Sequence, residues 1–94
     1  MKNLDIQGEL TIYTAATEKQ RLQEFLEQDN QLEVNLSRVS EMDTAGLQIL
    51  ILMKKEAERS GKNLRYVMHS QAVLEIMELS NTTASFGDPV VLHS

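Results

Sequence analysis

Apolar residues recur along this chain in two rhythms, every second residue in short runs and every third or fourth in longer ones, and the rhythms alternate. At 8–13, Leu10 and Ile12 fall on one face and Glu9 and Thr11 on the other, which predicts a strand. Residues 2–7 predict an earlier strand paired with it across Gly8, with Leu4 and Ile6 inward. A helix then starts at Thr14 or Thr17. Thr17-Glu18-Lys19-Gln20 has the spacing of a capping box, and Leu22, Phe25 and Leu26 form the apolar stripe. Asp29-Asn30 ends it. Residues 32–36 alternate again as a strand, and 37–42 predict a loop. A second helix spans 44–60, closed by Gly61, a good left-handed C-terminal residue. A strand at 64–68 follows, then a third helix capped by Ser70 with Val73, Leu74 and Met77 inward. Residues 81–88 are polar and loop-like, and Pro89 suits the start of a short edge strand at 90–92.

Strand–helix–strand alternation predicts an α/β domain whose parallel neighbours are joined by right-handed crossovers. No repeat, low-complexity segment or linker interrupts the 94 residues, so 1–94 is expected to be one domain with one core. Trp is absent and only Tyr13, Tyr66, Phe25 and Phe86 are aromatic, so that core must be aliphatic.

The second helix carries more apolar surface than one buried face needs. Gly46, Leu50, Met53 and Ala57 lie along one line, with Leu47 and Ile51 flanking it, and can pack on a sheet. The other side presents Ala45, Gln48, Ile49, Leu52, Glu56 and Arg59. Ile49 and Leu52 are therefore expected to point away from the sheet, as the centre of a docking surface, as aliphatics covered by a neighbouring loop, or as scattered surface residues.

The charge balance is acidic, at −5, and the adjacent basic pair Lys54-Lys55 is followed by Glu56 and Glu58. No basic stripe exists, so direct nucleic-acid binding is not expected. With Asp5, Gln7 and Glu9 in the first ten residues, no signal peptide is expected there. The apolar run 47–53 is broken by Gln48 and too short to span a bilayer, so no membrane insertion is expected. A soluble, cytoplasmic protein, monomeric or weakly dimeric, fits these features. Cysteine is absent, which excludes disulfides, thiolate metal sites and a Cys nucleophile.

The segment 34–46, Val-Asn-Leu-Ser-Arg-Val-Ser-Glu-Met-Asp-Thr-Ala-Gly, concentrates the candidate chemistry. Asp43 and Thr44 fall where the second helix begins, where backbone N–H groups lack intrahelical partners and the dipole is positive. Either residue suits a helix cap. The Thr44 hydroxyl can instead accept a phosphate, worth roughly −1.5 to −2 charges at neutral pH, or meet a partner. Glu41 and Asp43 would repel that phosphate, so its expected effect is a changed docking surface rather than unfolding. Ser37 and Ser40 have no base and orienting acid at a recognisable spacing, and read as turn closers. His69 and His93 have no Cys or paired carboxylate at ligand spacing, and no glycine-rich phosphate loop is present. No metal, no cofactor and no enzymatic activity is expected.

These residues resemble the STAS family, which includes bacterial anti-sigma factor antagonists. The resemblance runs from Gly8-Glu9-Leu10 to about Leu79, and its most specific part is the Leu-Ser…Val…Asp-Thr-Ala-Gly-Leu pattern, supported by Gly61-Lys62-Asn63-Leu64. It implies a single STAS-like α/β domain: a small mixed sheet, here of four to five strands, with three helices packed mainly on one side. In switchable members, the Ser or Thr after the Asp is phosphorylated by a kinase of the histidine-kinase-like ATPase type, often itself an anti-sigma factor. The unphosphorylated form binds that partner and the phosphorylated form releases it. Carried over, Thr44 is the phosphoacceptor, with Asp43, Ala45, Gln48, Ile49 and Leu52 as partner-binding residues. Many antagonists have Gly-Glu-Leu-Asp where this chain has Gly8-Glu9-Leu10-Thr11, and Ser where it has Thr44. Relatives with Asp-Thr include the small STAS subunit of a bacterial phospholipid-trafficking ABC transporter, whose same helix docks on the ATPase subunit. Stand-alone STAS proteins of chemotaxis-like signalling clusters also look similar. The resemblance therefore implies a phosphorylation-controlled binding module or, alternatively, a constitutive ABC-ATPase subunit or a signalling adaptor.

Overall fold

A computed structural model of the protein describes residues 1–79. The elements are β1 (Lys2–Leu10), α1 (Ala15–Leu26), β2 (Gln31–Met42), α2 (Thr44–Arg59), β3 (Asn63–Val67) and α3 (Gln71–Leu79). The strands form one parallel sheet in the order β1-β2-β3. The helices α1 and α2 make the two crossovers, as parallel neighbours require.

The expected hairpin across Gly8 does not form. Residues 2–10 are one strand, and its partner is β2 rather than its own beginning. Gly8 does take a left-handed φ of 83°, but the chain spends that freedom at a register irregularity between Gly8 and Glu9, not on a reversal. Leu4, Ile6 and Leu10 keep the same parity through Gly8 and face the core together. The strand ends at Leu10, so Ile12 is not an inward strand residue; it is 65% exposed.

The expected loop at 37–42 is also strand. Between Asp5 and Gln7 of β1, β2 advances from Asn35 to Arg38; between Gly8 and Glu9 it advances from Val39 to Glu41. Each step inserts one extra residue into β2. The Ser37 amide at the first irregularity donates to Asn35 Oδ1 (2.8 Å). The bulge moves the buried position from Leu36 to Val39, which breaks the two-residue alternation that marks a strand in sequence.

Among the described residues the sheet thus has three strands, all parallel, rather than four to five of mixed direction. The loop and edge strand expected at 81–92, and His93, lie outside the described residues. β3 stops at Val67 because Met68 turns left-handed, with φ 57°. Ser70 then caps α3, its Oγ accepting from the Val73 amide (3.3 Å).

All three helices contribute to one largely aliphatic core: Leu22 and Phe25 from α1, Leu47, Leu50 and Met53 from α2, Val73 and Met77 from α3. These close over Ile6, Leu10, Leu32, Val34, Leu36, Leu64 and Tyr66 of the sheet. Each fully buried aliphatic contributes about 1.5–3 kcal/mol relative to exposure. Polar ties fix α2 on β3. The Tyr66 hydroxyl donates to the Leu50 carbonyl (2.6 Å), and the Lys54 ammonium donates to the Leu64 carbonyl. The ammonium of Lys62 likewise donates to the Leu26 carbonyl at the end of α1.

Candidate functional site

The start of α2 is built by Asp43 and Gly46. Asp43, in extended backbone conformation, is the N-cap: its Oδ1 accepts from the Gly46 amide (3.0 Å). Its other oxygen, Oδ2, accepts from the Ile12 amide (3.0 Å). One carboxylate therefore joins α2 to the loop between β1 and α1. The Ile12 hydrogen bond, and secondly that from Gly46, hold the carboxyl below the usual aspartate range by favouring its charged form. Gly46 lies against the end of β1, where an added Cβ would sit 1.9 Å from the Leu10 carbonyl oxygen. Glycine is required here by close approach rather than by its dihedral freedom.

With Asp43 as the cap, Thr44 is not one. It is the first residue of α2, it is exposed, and its hydroxyl makes no hydrogen bond among the described residues. Ala45 is half-buried and Gln48 exposed. Leu52 is 38% exposed, as an aliphatic on the outer side of the helix should be. Ile49 corrects the expectation: it is only 7% exposed and belongs to the core, because α1 lies beside α2 and covers that side of it.

That covering creates a groove of about 550 Å³ between the two helices. Ala15, Ala16 and Lys19 line it from α1. From α2 it takes Ala45, Gln48, Ile49, Ile51, Leu52 and Lys55. The structure thus brings Ala45, Gln48, Ile49 and Leu52 into one concave surface, next in sequence to Thr44.

Sequence reasoning missed the loop at 11–14. Thr14, at the N-cap position of α1, makes no cap hydrogen bond with its side chain. Its Oγ1 accepts from the Thr11 amide (3.0 Å) and lies 3.1 Å from the Glu9 carbonyl, to which it donates. The Thr14 amide donates to the Thr11 carbonyl (3.0 Å) and the Tyr13 amide to Thr11 Oγ1 (3.3 Å). This turn presents Ile12 and Tyr13 outward, Tyr13 at 89% exposure. The Thr-x-x-Thr spacing was the available signal. The expected capping box does not form, because Thr17 already lies inside α1, which begins at Ala15.

Among the described residues, no group of three or more His, Asp or Glu side chains is placed to hold a metal ion. None of the helices there is long and apolar enough to cross a membrane.

The parallel sheet, the two crossover helices and the Asp-capped α2 define a small α/β domain. The chain matches the family model described as Mlab, STAS domain, over residues 2–91, and it belongs to the STAS domain family. Its fold is similar to that of a Thermotoga maritima protein proposed to be an anti-sigma factor antagonist. The TM-score is 0.71 at 24% identity, covering 94% of this chain and 74% of that one. It is also similar to a protein described as Mglu, with TM-score 0.58 and 18% identity, over 66% of this chain and 16% of that one.

Proposed function

We propose that this chain is a protein-binding module that docks through the N-terminal half of α2 and the facing end of α1, and that phosphorylation of Thr44 controls the docking. The partner class is a kinase or anti-sigma factor of the histidine-kinase-like ATPase type, acting in the cytoplasm. One observation carries the reading: capping is done by Asp43, so exposed Thr44 has a hydroxyl with no partner among the described residues, next in sequence to Ala45 in the lining of an apolar groove. On this reading the chain binds rather than catalyses, and the partner supplies the base that activates the hydroxyl. The Gly46 amide is already taken by Asp43, so a phosphate on Thr44 would add its charge beside a carboxylate that it cannot displace cheaply. The expected result is release of the partner.

Incubation with the cognate kinase and ATP should add one phosphate, mapping to Thr44. Thr44→Glu should weaken partner binding, and Thr44→Val should keep it. Modification at another residue, or none, overturns the switch. A constitutive subunit of an ABC ATPase is the second reading, favoured by Thr in place of the commoner Ser at position 44. There Thr44→Val would weaken association, and native mass measurement would show a permanent assembly.

A further inference from the structure

We propose that the segment received by the α1–α2 groove is an acidic amphipathic helix, its apolar stripe laid between the two helices and its carboxylates flanking that stripe to meet Lys19 and Lys55. This rests on α2 being the docking helix and adds the chemistry of the occupant.

The charge pattern carries the argument. The chain has 14 acidic residues against 9 basic ones, yet both charged residues lining the groove are lysines and no carboxylate lines it. Lys19 and Lys55 are exposed on opposite helices, and neither makes an ion pair or hydrogen bond among the described residues. Other cations nearby are engaged: Arg21 with Glu18, Arg59 with Glu56, and Lys54 and Lys62 with backbone carbonyls. Two ammonium groups with no partner among the described residues therefore bracket an apolar lining on a chain of net charge −5.

Shape agrees. From Ala45 to Lys55 the groove follows α2 for about 15 Å at ~1.5 Å per residue, three turns of a guest helix. Alanines at 15, 16 and 45 line the end beside Thr44, where a guest backbone can approach closely. Partly exposed Leu52 offers the apolar contact. Exposed ion pairs add little affinity by themselves, so the lysines select the guest's sign and steer its approach. A phosphate on Thr44 would then repel an acidic guest at the near end of the same groove.

The test uses the full chain, ¹⁵N-labelled, and two synthetic twelve-residue helical peptides with one leucine stripe, flanked by Glu in one and Lys in the other. Anionic phosphatidylglycerol vesicles form a third arm. The acidic peptide should shift the amides of Ala16, Lys19, Ala45, Gln48, Leu52 and Lys55, and bind at least about tenfold tighter than the basic one. The double variant Lys19→Glu, Lys55→Glu changes only exposed side chains and should keep its Tm while inverting the preference. Equal binding of the two peptides, no binding of the acidic one, or an unchanged preference in the double variant overturns the acidic guest and leaves α2 as the docking helix. Shifts mapping away from the groove overturn both readings. Groove shifts with vesicles and none with the acidic peptide overturn the helical occupant in favour of lipid.

Discussion

Two threonines stand at the beginnings of adjacent helices, and their hydroxyls have opposite fates. Thr14 precedes α1 and spends its oxygen inside the turn, on the Thr11 amide and the Glu9 carbonyl. Thr44 opens α2 and spends its oxygen on nothing among the described residues, because the residue before it already caps the helix. Position at a helix start therefore does not decide whether a hydroxyl is structural or available. What decides it is which neighbour supplies the cap.

The largest effect should come from removing the close approach on which the second of these ends depends. Gly46→Ala would drive a methyl group into the Leu10 carbonyl, a backbone atom with no freedom to yield. We expect a loss of about 3 kcal/mol or more, or roughly 15 °C in Tm, measured by thermal unfolding. A near-neutral result would mean that the first turn of α2 can slide, and the fixed geometry around Thr44 would be lost with it.

A paired substitution sharpens the contrast directly. Thr14→Val keeps β-branching and shape but removes a hydroxyl used twice near buried Thr11, and should cost about 1–2 kcal/mol. Thr44→Val makes the same chemical change and should stay within about 0.5 kcal/mol. Denaturant titration of both proteins reads the difference. Equal costs would show that the Thr44 hydroxyl has structural work in solution.

The smallest effect is on pH dependence. Asp43 has a lowered pKa in the folded protein, so its contribution is present above the ordinary aspartate value of about 3.9 and fades as pH falls through the lower folded value. Asp29 is lowered by the Asn30 and Gln31 amides and acts in the same window with the same sign. Asp43→Asn should flatten the acid side of the stability curve by the Asp43 part alone. It should also speed hydrogen exchange at the Ile12 amide, since an amide NH₂ in place of Oδ2 cannot accept from it. Unchanged exchange there would remove the link between the loop and α2.

Much of this was visible in the sequence. The stripe Leu22–Phe25–Leu26 and the pair Val73 and Met77 lie buried where their periodicity places them, whereas Leu74, expected inward with the pair, is only half-buried, and Ser70 caps α3. The join at 43–44 is the start of α2. The failures share a cause, which is that sequence periodicity is local and strand pairing is not. Gly8 read as a turn because nothing nearby reveals that its partner is Val39. Residues 37–42 read as a loop because two bulges, needed only to match β1, erase the alternation. Ile49 looked free because periodicity locates the faces of α2 but not the neighbour that α1 becomes. The exposure of Ile12 and Tyr13 followed from where β1 stops, which depends on the same long-range pairing.

The missing side chain at Gly46 leaves the first turn of α2 seated directly on the last peptide of β1. Helix and strand there behave as a single casting, with little room to adjust when another macromolecule lands. In the proposed docking, recognition at this end of the domain begins from a contour already set, and the entropy otherwise lost in ordering a receptor is largely spared. Whatever tunes affinity at this spot must do so by altering charge or shape on the surface, not by reshaping the support beneath it.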